Sequence, residues 1–160
     1  MMAKPEKEHD WLQQLVGDWT YEHAMTPEPG KPVETFAGTE TVRSLGGLWV
    51  VAEGRGAMPG GGAATMLLAL GYDPGRKRFV GTWVGSMMTQ LWVYDGWLNE
   101  AGNVLTLETE GPNCTGDGKP TKFREIIEIK DRDNRTFRSA MLRDDGEWAP
   151  IMTASYRRTK

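Results

Sequence analysis

From residue 18 onward, apolar and polar positions alternate along short runs, and glycine, proline and aspartate separate one run from the next. A period of two belongs to strands that bury one face. The alternation predicts ten of them, over 18–25, 38–45, 48–56, 63–72, 77–84, 89–95, 103–110, 121–130, 135–143 and 147–158. Gly46-Gly47 matches a two-residue hairpin. In Asp73-Pro74-Gly75 the proline presets φ and the glycine takes the left-handed position. Residues 131–134 and Asp144-Asp145-Gly146 read as two more hairpin tips, and 27–32, 59–62 and 112–120 as longer loops. Ahead of residue 17 the period changes. Trp11, Leu12, Leu15 and Val16 share one helical face, Pro5 suits a first turn and Gly17 a stop, which predicts a short helix over about 5–16.

Ten consecutive strands with no long helix between them exclude βαβ architectures. A meander exposes two edges unless its first and last strands pair, and closure removes both. The fold class expected is all-β: an antiparallel up-and-down β-barrel of about ten strands over 17–159, with a short N-terminal helix, in a single domain spanning 1–160. Eight strands just enclose a small ligand, so ten leave more room.

A short helix followed by Gly17-Asp18-Trp19 is similar to the Gly-x-Trp opening of the calycins, the group of lipocalins and fatty-acid-binding proteins. That resemblance implies a tryptophan plugging one end of the barrel, with a basic residue of the last strand, Arg157 or Arg158, packed across it. The whole chain, over roughly 8–158, resembles one bacterial family of unknown function, DUF1579. The marks are Leu15-Val16-Gly17-Asp18-Trp19, Leu45-Gly46-Gly47-Leu48-Trp49, Gly71-Tyr72-Asp73-Pro74 and Phe79-Val80-Gly81-Thr82-Trp83. The resemblance implies a lipocalin-like barrel and brings no catalytic residues with it.

Composition narrows the partners. The net charge of −3 lacks the basic surplus that phosphate backbones require, so no nucleic acid is expected. No apolar run is long enough to span a membrane, and the charged N-terminus lacks a secretory apolar region, so a cytoplasmic protein is expected. The lone cysteine, Cys114, excludes an internal disulfide and a thiolate-rich metal site, and reads as an idle thiol. Two histidines are too few for a usual His-rich zinc site. Gly60-Gly61-Gly62 lacks the Gly-Lys-Ser/Thr of a phosphate loop, and 131–134 lacks the glycine and terminal glutamate of a calcium loop. No metal and no catalytic residue is expected.

The first strand orients the interior. With Trp19 inward, alternation turns Tyr21, His23 and Met25 inward too. His23 then reads either as a ligand contact or general base, or as a hydrogen-bonded core histidine. Trp83, between Gly81 and Gly85, either leans over a ligand or fills a barrel corner. Ser86-Met87-Met88 is a soft apolar patch suited to adaptable binding. Glu125 shares a face with Phe123 and Ile127, and an inward carboxylate is costly unless paired; Arg138 or Arg55 is the expected partner across the barrel. That ion pair reads equally as a head-group clamp or as a structural pair near the rim.

The expected site is therefore an interior pocket floored by Trp19 and formed by Tyr21, His23, Trp83, Met87, Glu125 and Arg138. It suits a small hydrophobic or amphipathic ligand whose charge the sequence leaves open, with no cofactor. The alternatives are a haem or gas-binding barrel, for which His23 is the interior axial candidate, a small enzyme using His23 with an interior acid, and a filled barrel with a structural role. The run Met66-Leu67-Leu68-Ala69-Leu70 and the strand carrying Trp92 and Tyr94 are apolar on both faces. Their outer faces need cover, from the N-terminal helix or from a second subunit, and a homodimer is expected.

Overall fold

The computed structural model describes residues 2–113 and 116–160, so Cys114 lies outside the described residues. In chain order the elements are α1 (Lys7–Gln13), β1 (Gly17–Met25), β2 (Thr35–Leu45), β3 (Trp49–Ala57), β4 (Ala63–Asp73) and β5 (Arg78–Gly85). Then follow β6 (Trp92–Leu98), β7 (Val104–Pro112), β8 (Pro120–Asp131), β9 (Asn134–Leu142) and β10 (Trp148–Arg158). Each strand pairs antiparallel with its sequence neighbours, and β1 pairs with β10, Trp19 opposite Arg158 and Met25 opposite Met152. The sheet closes into a ten-stranded barrel with no free edge. No described helix is long and apolar enough to cross a membrane.

Alternation sets the faces as expected along most strands. Trp19 and Tyr21 are buried between exposed Thr20 and Glu22. Leu105, Leu107 and Thr109 are buried on β7, and Phe123 and Ile127 on β8. The helix is shorter than the sequence predicts because its last carbonyls have other partners. The Trp19 indole N–H donates to the Leu15 carbonyl at 2.9 Å, and the Arg158 guanidinium donates to the carbonyls of Gln14 and Val16. The chain turns there instead of continuing the helix. Leu12 and Leu15 enter the core against Trp19, so α1 closes the barrel end at which β1 begins. His9 holds this plug in place. Its Nδ1 accepts from the Glu6 amide at 2.8 Å, and its Nε2 lies 3.1 Å from the Tyr72 carbonyl.

Strand β6 starts three residues later than the pattern predicts. Gly96 lies inside the strand, where a Cβ would meet the Thr106 carbonyl of β7. The absent side chain permits that close approach. This strand is also briefly held: its register with β5 runs from Phe79↔Gly96 to Trp83↔Trp92, and with β7 only from Asp95↔Glu108 to Leu98↔Leu105.

Three expectations are corrected. Arg138 points outward: its side chain is half exposed and lies 3.7 Å from Glu128 on the outer wall, because the inward positions of β9 are Arg135, Phe137, Ser139 and Met141. Arg55 is also outside, 3.6 Å from Glu53, since β3 turns Val50, Ala52 and Gly54 inward. Neither arginine can pair with Glu125. The helix does not cover the outer face of β4–β6 either, where Leu67, Val84, Leu91 and Val93 remain exposed.

Candidate functional site

The two ends of the barrel interior are built differently. At the closed end, Trp19 is 2% exposed and lies between two guanidiniums, with Arg158 4.3 Å and Arg135 4.5 Å from its ring. Arg135 also stacks on Tyr156 at 4.0 Å and meets Glu40 of β2 at 2.5 Å. A guanidinium between two aromatic faces and a carboxylate is a paired cation, although the Arg135 Nε is buried without a hydrogen-bond partner. Alternation with Phe137 was the available signal for Arg135. Its partner Glu40 is remote in sequence and came into view only with the closed fold.

Nearer the open end the inward residues come from β1, β5, β6, β7, β8 and β9. Tyr21 lays its ring over Gly38 and Gly56, and a Cβ at either glycine would collide with it. Its hydroxyl is buried with no hydrogen-bond partner, and burial followed by the charge of Glu40 raises its pKa. His23 stacks on Tyr21 with ring centres 5.8 Å apart and tilts against Phe36 at 5.3 Å. Burial lowers its pKa, which favours the neutral imidazole. Trp92 and Phe123 meet edge to face at 5.2 Å. Trp83 packs over Gly85 together with the sulfur of Met87, which is itself 37% exposed at the rim.

Glu125 is the inward carboxylate. It stands opposite Ser139 on β9 and Leu107 on β7. Burial pushes its pKa up to about 8, while the hydrogen bond from Ser139 pulls the other way. Tyr94, buried on β6, is raised by burial and by Glu125. The Thr109 hydroxyl is buried without a partner. Glu125, Trp83, Trp92, Phe137 and Tyr156 all turn inward, and Glu125 and Tyr156 are walled in on nearly every side. Yet each keeps some solvent contact. Solvent reaches inward-pointing groups only through space inside the barrel.

The structure thus brings Tyr21, His23, Trp83 and Glu125 to one interior, puts Met87 at its rim and leaves Arg138 outside. His23 and Glu125 are not neighbours. Strands β10 and β9 separate their strands, about 14 Å of wall at the usual spacing. Among the described residues no cluster of histidine, cysteine and carboxylate side chains is placed to hold a metal. Two outer depressions, of about 670 and 480 Å³, lie at the closed end. The first is lined by Arg132, Asp133, Asn134 and the C-terminal segment, the second by Trp11, Phe79, Trp97 and their neighbours; neither contains a predicted site residue.

A closed antiparallel barrel with a tryptophan and arginine plug at one end defines a lipocalin-like barrel. Within that class the chain belongs to DUF1579, a family of proteins of unknown function, which matches residues 4–158. No curated protein matches its sequence. Among solved structures it is similar to Rv2717c from M. tuberculosis, with 15% identity and a TM-score of 0.64 over 98% of this chain and 100% of that one. The S-type phycobiliprotein lyase CPES from Guillardia theta gives 14% identity and 0.57 over 99% of each chain. The barrel EF1p2_mFAP2b, bound to DFHBI, gives 12% and 0.50 over 94% of this chain and 98% of that one. At these identities the likeness is one of fold.

Proposed function

We propose that the protein binds a small hydrophobic or amphipathic molecule inside the barrel, between the Trp19 floor and the open end. One observation carries the reading: inward-facing Trp83, Trp92, Glu125 and Phe137 are only partly buried, whereas Trp19, Leu12 and Leu15 at the closed end are buried. A mostly apolar wall with a few convergent polar groups is the usual chemistry of a ligand pocket. The similar barrel EF1p2_mFAP2b is bound to DFHBI, which lends support. In this reading Trp83 and Met87 cover the apolar body of the ligand, while Tyr21, His23 and Glu125 meet its polar groups.

The test is a titration with Nile red, an uncharged environment-sensitive dye, followed by dye emission and tryptophan fluorescence. Wild type should bind with a saturable blue shift. Trp83→Ala should weaken binding about tenfold, equivalent to ~1.4 kcal/mol, and His23→Leu should alter it measurably. No saturable binding, or equal binding in all three proteins, overturns the proposal.

A homodimer through the outer wall of β4–β6 is proposed alongside. Leu67 stands directly opposite Val84, and Leu91 and Val93 extend the exposed apolar face on the next strand. A stable dimer would bury more than ~1,000 Å². Sedimentation velocity at tens of micromolar checks it, and a monomer there refutes it.

A further inference from the structure

The chamber is one-sided in charge. Glu125 is the carboxylate near its middle height, held by the Ser139 hydroxyl and close to Tyr94. No lysine or arginine among the described strand residues turns into the same space. Arg55 and Arg138 lie outside, with 72% and 50% of their side chains exposed. The inward cations, Arg135 and Arg158, are at the closed end and engaged by Glu40, Trp19, Tyr156 and backbone carbonyls. His23 is biased toward its neutral form. An entering carboxylate would therefore meet a carboxyl group and no counter-charge. An entering cation would meet a carboxyl group able to give up its proton, and the faces of Trp83, Trp92 and Tyr94, which attract positive charge.

The rim carries the same sign. Glu28, Glu34, Asp117, Asp144, Asp145 and Glu147 surround the open end, against Lys31, Lys119 and Arg143. Lys31 is paired with Glu28, and Arg143 with Asp145. A mouth with a net surplus of one sign attracts ligands of the other sign.

We propose, building on the ligand-binding reading above, that the chamber selects amphipaths whose polar end is a protonated amine, with Glu125 as the buried counter-ion, over otherwise identical carboxylates. The ammonium donates to Glu125 and leaves the apolar tail along the Trp83 wall. Thr109 offers a further uncharged polar contact. Because Glu125 is protonated in the empty chamber at neutral pH, the ammonium displaces that proton to solvent. The groups facing Glu125 are Ser139 on β9, Leu107 and Thr109 on β7 and Tyr94 on β6. Tyr94 alone among them titrates, and it does so far above neutrality.

Decylamine, decanoate and 1-decanol share one body and differ at the head. Each is titrated below its micellar concentration against bound Nile red at pH 7. Decylamine should displace the dye at least tenfold more tightly than decanoate, with decanol between. The order should persist in 0.5 M NaCl, where rim charges are screened but an enclosed contact is not. Glu125→Gln should lose the tenfold preference of decylamine over decanoate. Calorimetry of the wild-type protein in two buffers of different ionisation enthalpy supplies a readout that needs no variant. About one proton should be released per decylamine bound at pH 6.5, and none per decanol. Equal affinity of the three probes, tighter binding of decanoate, or no proton release with decylamine overturns this inference and leaves the binding reading standing. If neither the dye nor any of the probes binds, the binding reading itself has failed.

Discussion

The two ends of this barrel use the same residue types for opposite purposes. At the closed end, aromatic rings and charges face one another directly: Trp19, Arg135, Tyr156 and Glu40 leave no charge unanswered. Toward the open end, aromatic rings and a carboxylate face inward and are only partly buried, and Glu125 has a serine where a cation would complete it. Burying a charge costs several kcal/mol unless it is paired, so the first arrangement is a stable plug and the second holds an unmet demand. The difference shows where stability and where function reside. Substitutions near the floor should act on folding, and substitutions above it on binding and on the response to pH.

Trp19→Ala should cause the largest loss, about 5 kcal/mol, at the upper end for an aromatic core truncation, because two guanidiniums lose their shared face. Thermal denaturation should show a midpoint lower by 10 °C or more at ~2–4 °C per kcal/mol. An unchanged melt would mean that Trp19 is no plug.

Arg135→Leu should cost about 4 kcal/mol by urea unfolding, since it strands Glu40 without its partner. Adding Glu40→Leu should restore much of that loss. A double variant as weak as the single one would contradict the assignment of the cost to an unpaired charge.

Glu125 sharpens the contrast through pH. Its folded pKa is raised, so the stability it contributes is complete below its ordinary value of 4.5 and is lost as pH rises through about 8. Glu125→Gln cannot ionise and escapes that loss. Between pH 5 and pH 9 the variant should gain about 3 kcal/mol over wild type, an order-of-magnitude figure from ~1.4 kcal/mol per pKa unit, reduced because water reaches the chamber. Urea midpoints that run parallel for the two proteins would show a solvated, ordinary glutamate.

The smallest effect belongs outside. Arg138→Ala should change stability by under ~1 kcal/mol, as exposed ion pairs do, and should leave Nile red affinity unchanged. A drop in dye affinity would return Arg138 to the site from which its outward direction excludes it.

Much of this was legible in the chain because a strand's period fixes relative facing. Once Trp19 was taken as inward, Tyr21 and His23 followed, and Phe123 carried Glu125 with it. Period alone does not say which face of a strand is the inner one. On β3 the face of Trp49 looked like the core face, yet Trp49 lies outside, its ring over Gly71 of β4. Arg55 and Glu53 went outward with it. On β9 the pattern carries both Arg138 and Arg135, and only the latter shares a face with Phe137. The decisive partner of Arg135 is Glu40, and a pairing across so many intervening residues is set by barrel closure, not by local pattern.

The short β6 carries a consequence in time. A closed ring has no edge until one strand lifts, and β6 is held to β5 and to β7 over brief registers, with a glycine in its middle. It should be the stave that parts first. Amide hydrogens of residues 92–98 should exchange with deuterium well before those of β9, whose register with β8 and β10 runs nearly its whole length. Such parting would bare strand edges on β5 and β7 for an instant, beside the loop that carries Met87. Mass-resolved exchange with and without bound Nile red would time that parting.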